Sequence, residues 1–432
     1  MDAADLDYRA RMLSGCIPPP LVSRLLELGH GKEVKFQAGR GEWFCAREWA
    51  RLLGYQGRQA QALDVLAPYV ATGWWPAART QAELLESWGR AAEAITLSRP
   101  YAAFGGNPLE FLARLLARQE GGDEAVTLLS AGIEDWVLAT ALVDITEGMG
   151  RDEDIAALLA ARIPAGHRCD SPWCCSGLDP DTAIGLLATV RERQGRIDEA
   201  IALLHTRNIT SVNNHDQLAD LLARHERLEE LRAYAASDDH GHASQRLAEV
   251  LEEHGDIEGA IAVYRQTDDS PVHHHHSAVQ LAQLLTRHGR RDEAIEVMRT
   301  LAESPGGTQD WIIDTLCTLY ADHGRAQEGL AYLDALKARH DGEEEWEFFR
   351  PRLHLMAACG WLDEAIEQAQ AHPQGDTWYA AWTISDLLAG VGRTEEAVTV
   401  LEPYTPANSQ ELARHLIDLG RVEDAISLLQ RQ

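Results

Sequence analysis

One short stretch limits the possible folds more than any other. Residues 281–298 read LAQLLTRHGRRDEAIEVM. Leu281, Leu284 and Leu285 fall on one face of a helix, with the small Ala282 beside them. His288-Gly289 ends that helix, because glycine is favoured just past a helix C-terminus. Asp292 and Glu293 then open a second helix, where acidic side chains suit the positive end of the dipole. Ala294, Ile295, Val297 and Met298 supply its apolar face. The unit is a helical hairpin of two short helices and a tight turn. Neither helix can bury its stripe alone, so such units must stack on copies of themselves.

Copies are present along nearly the whole sequence. Their turns fall at Gly57, Gly89, Gly121, Gly150, Gly195, Gly255, Gly289, Gly324, Gly360, Gly392 and Gly420, with a glycine-free copy at Glu226. That makes about twelve hairpins at a usual step of about 28–36 residues, the range of two-helix repeats. A small or modest residue stands seven places before each turn, as at Ala50, Ala82, Ala113, Val143, Ala188, Ala219, Ala248, Ala282, Cys317 and Ala413. Alanine recurs about five places after it, at Ala62, Ala94, Ala125, Ala200, Ala260, Ala294, Ala365, Ala397 and Ala425. Small residues there let paired helices approach closely. The expectation is an all-α array, and one elongated domain in place of the two or three globular ones that 432 residues could hold. Residues 1–40 do not match the pattern and are expected to cap the array that fills 41–432. Two places break the rhythm: a Pro- and Gly-rich loop at 163–181 and the His-rich run at 268–280.

This grammar of small residue, turn glycine and alanine resembles the tetratricopeptide repeat family, over roughly residues 41–432. The resemblance implies a right-handed superhelical solenoid of stacked helix-turn-helix repeats, with the first helix of each hairpin lining a concave groove. It also implies that the groove, or the exposed helix edges, binds other proteins or peptides. The sequence departs from the family's pattern in its uneven step, in Glu226, and in lacking the frequent proline at the repeat end.

Charge narrows the partners. Lys+Arg 39 against Asp+Glu 68 leaves a net charge of −29. That balance opposes a non-specific grip on nucleic acid or on an anionic membrane, since phosphate binding needs a basic footprint. No run approaches the roughly 20 apolar residues of a membrane helix. The N-terminal residues are acidic without an apolar stretch, unlike a signal or transit peptide. Seven cysteines at irregular spacing are no disulfide framework, so a cytoplasmic setting is expected.

Several constellations hold residues able to do chemistry. His167, Cys169, Cys174 and Cys175 form a conceivable zinc ligand set, but adjacent Cys174-Cys175 cannot easily both face one ion. A metal-binding or enzymatic protein centred on this loop is the alternative reading. His273–His276 read as a solvated run before a helix, and Glu343–Glu347 as a helix start without a basic or nucleophilic partner. No nucleotide-binding or hydrolase motif is present. No cofactor and no enzymatic activity are therefore expected.

Two patterns point to partner binding. Trp43, Trp75, Trp136, Trp346 and Trp378 each stand fourteen places before a turn. They either pack over the seams between hairpins or form a row of aromatic anchors. Residues ten, six and two before each turn form an i, i+4, i+8 stripe. Around the first three turns that stripe holds Arg47, Arg51, Tyr55, Arg79, Arg114 and Arg118, and further on it turns acidic, with Asp144, Asp216, Asp220, Glu249, Glu253, Asp314 and Asp322. Arginines on such a face are either paired with local acids or form a basic mouth for an acidic segment or a free C-terminus. The function this supports is a non-enzymatic protein- or peptide-binding scaffold, adaptor or regulator.

Overall fold

The computed structural model describes residues 2–165, 177–207, 216–238, 241–266, 271–304, 307, 309–339 and 345–431. Among them the protein is helical, with one isolated antiparallel bridge between Asp135 and Gly177. It forms two compact units, Met1–Asn208 with Gly420–Gln432, and Ile209–Leu419.

The hairpin around Gly289 shows how the unit is built. Helix Pro271–Arg287 turns through Gly289 into helix Arg291–Glu303. Gly289 sits in the left-handed region at φ 73°, which glycine enters without a Cβ penalty. Its N–H donates to Thr286 O at 3.0 Å, and Arg290 N–H reaches back to Leu285 O at 2.8 Å. These bonds satisfy carbonyls that a helix end would otherwise leave open. Leu281, Leu284 and Leu285 are buried, as are Ala294, Ile295 and Met298 of the second helix. Every residue named above at the two small-residue positions is at most 3% exposed. Close approach of the helices, with no room for a larger side chain, is thus a property of the whole array.

The same pairing joins Trp43–Tyr55 to Gln59–Val70, Trp75–Ser87 to Ala91–Ser98, Gly106–Ala117 to Gly122–Ala131 and Pro180–Arg193 to Ile197–Leu204 in the first unit. In the second it joins His242–Glu253 to Ile257–Gln266, Asp310–Asp322 to Ala326–Arg339, Trp346–Ala358 to Leu362–Ala371 and Trp378–Gly390 to Thr394–Leu401. Stacking follows sequence order. Gln59–Val70 packs on Trp75–Ser87, Arg291–Glu303 on Asp310–Asp322, and Leu362–Ala371 on Trp378–Gly390. One core cluster of the first unit runs from Leu112 to Val190. The burial that one hairpin lacks is supplied by its neighbours. No helix among the described residues is long and apolar enough to cross a membrane.

Three local findings refine the expectations. Upstream of residue 41, helices Pro19–Glu27 and Gly31–Gly39 are joined at Gly29 (φ 85°) by the same turn, with His30 N–H on Leu25 O at 2.8 Å. Val22 and Val34, both fully buried, stand at the two positions that alanine holds elsewhere. The hairpin pattern therefore extends into the segment expected as a cap. At the glycine-free turn, Glu226 itself adopts φ 54°, and Arg227 N–H donates to Leu222 O at 2.9 Å. The turn survives because its hydrogen bonds outweigh the strain of an L residue there.

The third finding concerns the ends of the expected 163–181 loop. Ile163 packs on the core cluster and Leu178 is 1% exposed within it. Leu178 N–H donates to Glu134 O at 2.6 Å, and Asp179 caps helix Pro180–Arg193 by accepting from Thr182 N–H. Both ends of that stretch belong to the array.

Candidate functional site

The arginine stripe lies on successive first helices of the first unit, and its side chains cross-link them. Arg47 Nε donates to Glu48 at 2.8 Å and its guanidinium stands over the Phe44 ring. Arg51 reaches Glu48 at 3.0 Å and, in the next hairpin, Glu83 at 3.5 Å. Arg79 pairs with the same Glu83 at 2.9 Å and lies over Phe111 of the hairpin beyond. Arg118 grips Glu86 of the preceding hairpin with two bonds of 2.6 and 2.9 Å. Arg114 holds Glu110 in its own helix and Asp144 of the following hairpin at 2.7 Å. Burial disfavours the Arg114 charge, but its hydrogen bonds to Asp144 and Glu110 outweigh that and push its pKa up. Tyr55 is 90% exposed at one end of the row. Each of these arginines already holds an internal carboxylate.

The tryptophans at one register diverge in environment. Trp43 is buried against Tyr69 and Trp74, with ring centroids 5.2 and 4.9 Å away. Trp346 is buried among Phe349, His372 and Tyr379. These two indoles fill seams and leave no surface for a partner. Trp75 is half-buried against Tyr101 and Phe111. Trp136 and Trp378 are exposed.

His167, Cys169, Cys174 and Cys175 lie outside the described residues, as do Glu343 and Glu344. Among the described residues no three His, Cys, Asp or Glu side chains gather as metal ligands. Cys16, Cys45 and Cys317 are buried thiols, and burial pushes Cys16 up to about 11. Beside Cys45, Glu42 caps helix Trp43–Tyr55 by accepting from Phe44 N–H and Cys45 N–H. Burial there outweighs those hydrogen bonds and raises its pKa. Ser385, His415 and Glu411 meet in the second unit, Ser385 Oγ at 3.0 Å and Glu411 Oε1 at 3.3 Å from His415 Nε2. Both contact the same ring nitrogen, and Ser385 is fully buried. A hydroxyl nucleophile needs to sit on one nitrogen of the imidazole base with the orienting acid on the other, so this trio is a packing cluster.

The sequence reasoning missed a second arrangement, the residue following each turn. Arg90, Arg196, Arg227, Arg290, Arg325, Arg393 and Arg421 each pair with the carboxylate three places on: Glu93, Glu199, Glu230, Glu293, Glu328, Glu396 and Asp424. Several also reach back one hairpin. Arg151 meets Asp123, Arg290 Glu258, Arg325 Asp292 and Arg393 Asp363, at 3.0, 2.6, 2.6 and 2.5 Å. The Gly-Arg-x-x-Glu spacing was visible in the sequence; that the guanidinium also ties adjacent hairpins was not.

No family model matches this protein, and no curated protein does. Among solved structures it is similar to one described as Naa15/Naa10 bound to HypK-THB, at 13% identity and TM-score 0.35, over 89% of the present protein and 67% of the other. It is also similar to a tetratricopeptide repeat protein from Parabacteroides merdae ATCC 43184, at 12% identity and TM-score 0.29, over 68% of the present protein and 98% of the other. At such scores the fold is read from the hairpin packing itself. By its turns, its small-residue contacts and its order of stacking, the protein is an all-α array of stacked helical hairpins.

Proposed function

We propose that this protein is a non-enzymatic scaffold or adaptor of the cytoplasm that binds an acidic protein segment or a free C-terminus. The binding face is the row of first helices carrying Arg47, Arg51, Arg79, Arg114 and Arg118. The observation that supports the reading is the cross-linking of successive first helices by these side chains. Three of the five guanidinium groups, those of Arg51, Arg114 and Arg118, are thereby fixed between helices and pre-organised. Their internal carboxylates do not block the site. The pairs of Arg79 with Glu83 and of Arg118 with Glu86 are exposed, and an exposed ion pair is worth about 0–1 kcal/mol, so a partner carboxylate that accepts two bonds at once displaces one of these at small cost. Tyr55, at one end of the row, adds an exposed ring, and Trp136 another at the far end.

The test is co-purification from the native cell with the wild type and the triple variant Arg47→Ala, Arg51→Ala, Arg114→Ala side by side. The captured acidic partner is expected to be lost from the variant while the melting temperature changes little. An unchanged set of partners refutes the arginine face.

A further inference from the structure

The turn at Gly360 carries the same backbone as its counterparts and a different chemistry. Gly360 has φ 84°, Trp361 N–H donates to Met356 O at 2.9 Å, and Trp361 stands at φ −101°, ψ 45°. Arg393, in the next hairpin, stands at φ −84°, ψ 49°. Trp361 thus occupies the place of the arginine that elsewhere follows the turn. Three places on, Glu364 is the acid that this arginine would hold, and among the described residues it has no ion-pair partner. One hairpin back, the acid that such an arginine would also reach is replaced by Gln327. Both carboxylate anchors of the rung have changed status together, one removed and one left open.

The hairpins from Gly89 onward show the contrast. Even the hairpin Gly106–Ala131, which has Gly121 in place of the arginine, keeps its acid occupied. There Arg99 of the preceding hairpin donates to Glu124 through two nitrogens, at 2.5 and 3.0 Å. From the turn at Gly89 onward, a guanidinium is supplied to this position in every other described hairpin that has an acid there.

The vacated rung opens a groove of about 680 Å³. Leu330 and Met356, both nearly buried, form its floor. Trp361, 42% exposed, and Glu364 form its wall, with the amides of Gln327 and Gln368 beside them. Arg352 also borders the groove and is already held by Asp334 at 2.7 Å.

We propose that this groove docks an arginine side chain of a partner protein. The occupant reproduces what the array does for itself at the other turns. Its guanidinium donates two bonds to Glu364 and lies over the Trp361 indole. Its methylene stem covers Leu330 and Met356. The groove is larger than one side chain, so an apolar neighbour of the arginine enters with it. A net charge of −29 steers a cationic segment inward, and Glu364 beside Asp334 disfavours an anion. The inference shares with the proposed function only the premise that the partner is a protein, and its residues are separate from the arginine row.

The experiment follows the tryptophan indole N–H resonances of the full-length ¹⁵N-labelled protein, with Trp361 assigned by Trp361→Phe. The probes are acetyl-Leu-Arg-Leu-amide and its citrulline and glutamate counterparts. The arginine peptide is expected to shift the Trp361 resonance at millimolar concentration, and the other two to leave it in place. Glu364→Gln is expected to weaken that response by about tenfold or more, the loss of a charge-assisted pair. Trp361→Arg is expected to close the site from within, so that the peptide no longer binds and the melting temperature rises. An equal response in Glu364→Gln, or none at millimolar arginine peptide, overturns the proposal. So does a concentration-dependent dimer abolished by Glu364→Gln with the peptide silent, which makes a second copy the occupant. The Arg47, Arg51, Arg114 triple variant must keep the peptide response, so failure of one proposal does not carry the other with it.

Discussion

Replacing Glu226 with glycine is expected to stabilise the second unit. Glu226 sits at φ 54°, a conformation that costs an L residue roughly 1–2 kcal/mol. Its side chain is exposed, so removing it empties no core. The backbone bonds at this turn, Glu226 N–H to Ala223 O at 3.1 Å and Arg227 N–H to Leu222 O at 2.9 Å, match those at Gly195 and survive the change. An acid just past a helix C-terminus also opposes the dipole, by about 0.3 kcal/mol or more. Against these gains, glycine's freedom in the unfolded state takes back about 0.4–1 kcal/mol. The net is about 0.3–2 kcal/mol, or roughly 1–8 °C in melting temperature for a unit of this size. Urea titration and calorimetry of the full-length protein measure it. The reciprocal variant, Gly195→Glu, should destabilise by about the same amount. Nothing lies within 4 Å of a Cβ built at Gly195, so no steric clash adds to that cost. A glycine at 226 that leaves the midpoint unchanged, together with a silent Gly195→Glu, refutes the reasoning.

Three further expectations are open to direct measurement. Leucine at Ala282 or Ala294, which are 1% and 0% exposed, should overpack the hairpin and cost about 1–3 kcal/mol in urea unfolding. Leu178→Ala should cost about 2–5 kcal/mol, because Leu178 is a core residue at the edge of the irregular stretch; stability equal to wild type would place it in a dispensable loop. Burial opposes ionisation of Glu411, but hydrogen bonds from His415 and Arg414 prevail and hold its carboxyl at about 2. Its folded pKa lies below the unfolded value of 4.5, so its contribution is complete above that value and is lost as pH falls toward 2. Glu411→Gln should therefore flatten the acid side of the stability profile, measured by urea unfolding at a series of pH values, and leave its shape above about pH 5 alone.

The turn register was legible because a turn glycine is a local demand, set by the backbone of a few residues. Glu226 shows the limit: its neighbours keep the register and impose the conformation on a residue that disfavours it. The hairpin at Gly29 escaped notice because Val22 and Val34 hold the alanine places and Pro18-Pro19-Pro20 reads as a stop. Helical spacing located the tryptophans on their helices but not what stands across the seam. Tyr69 and Trp74 bury Trp43, and Trp136 at the same register stays exposed. The arginine row was readable as a shared face, whereas its pairing with Glu83, Glu86 and Asp144 depends on how neighbouring hairpins align.

The arginines that follow the turns also bear on how such an array grows or shrinks. Several of them reach for an acid at one fixed place in the hairpin before, and Asp123, Glu258, Asp292 and Asp363 each supply one. Any hairpin ending in such an acid is an acceptable predecessor for any hairpin opening with arginine, so a duplicated or deleted unit finds its contacts ready-made. The junction between Gln327 and Trp361 lacks that interchangeable coupling. A copy inserted there would bring an arginine with no acid behind it, so this junction does not accept an exchanged unit as its neighbours do.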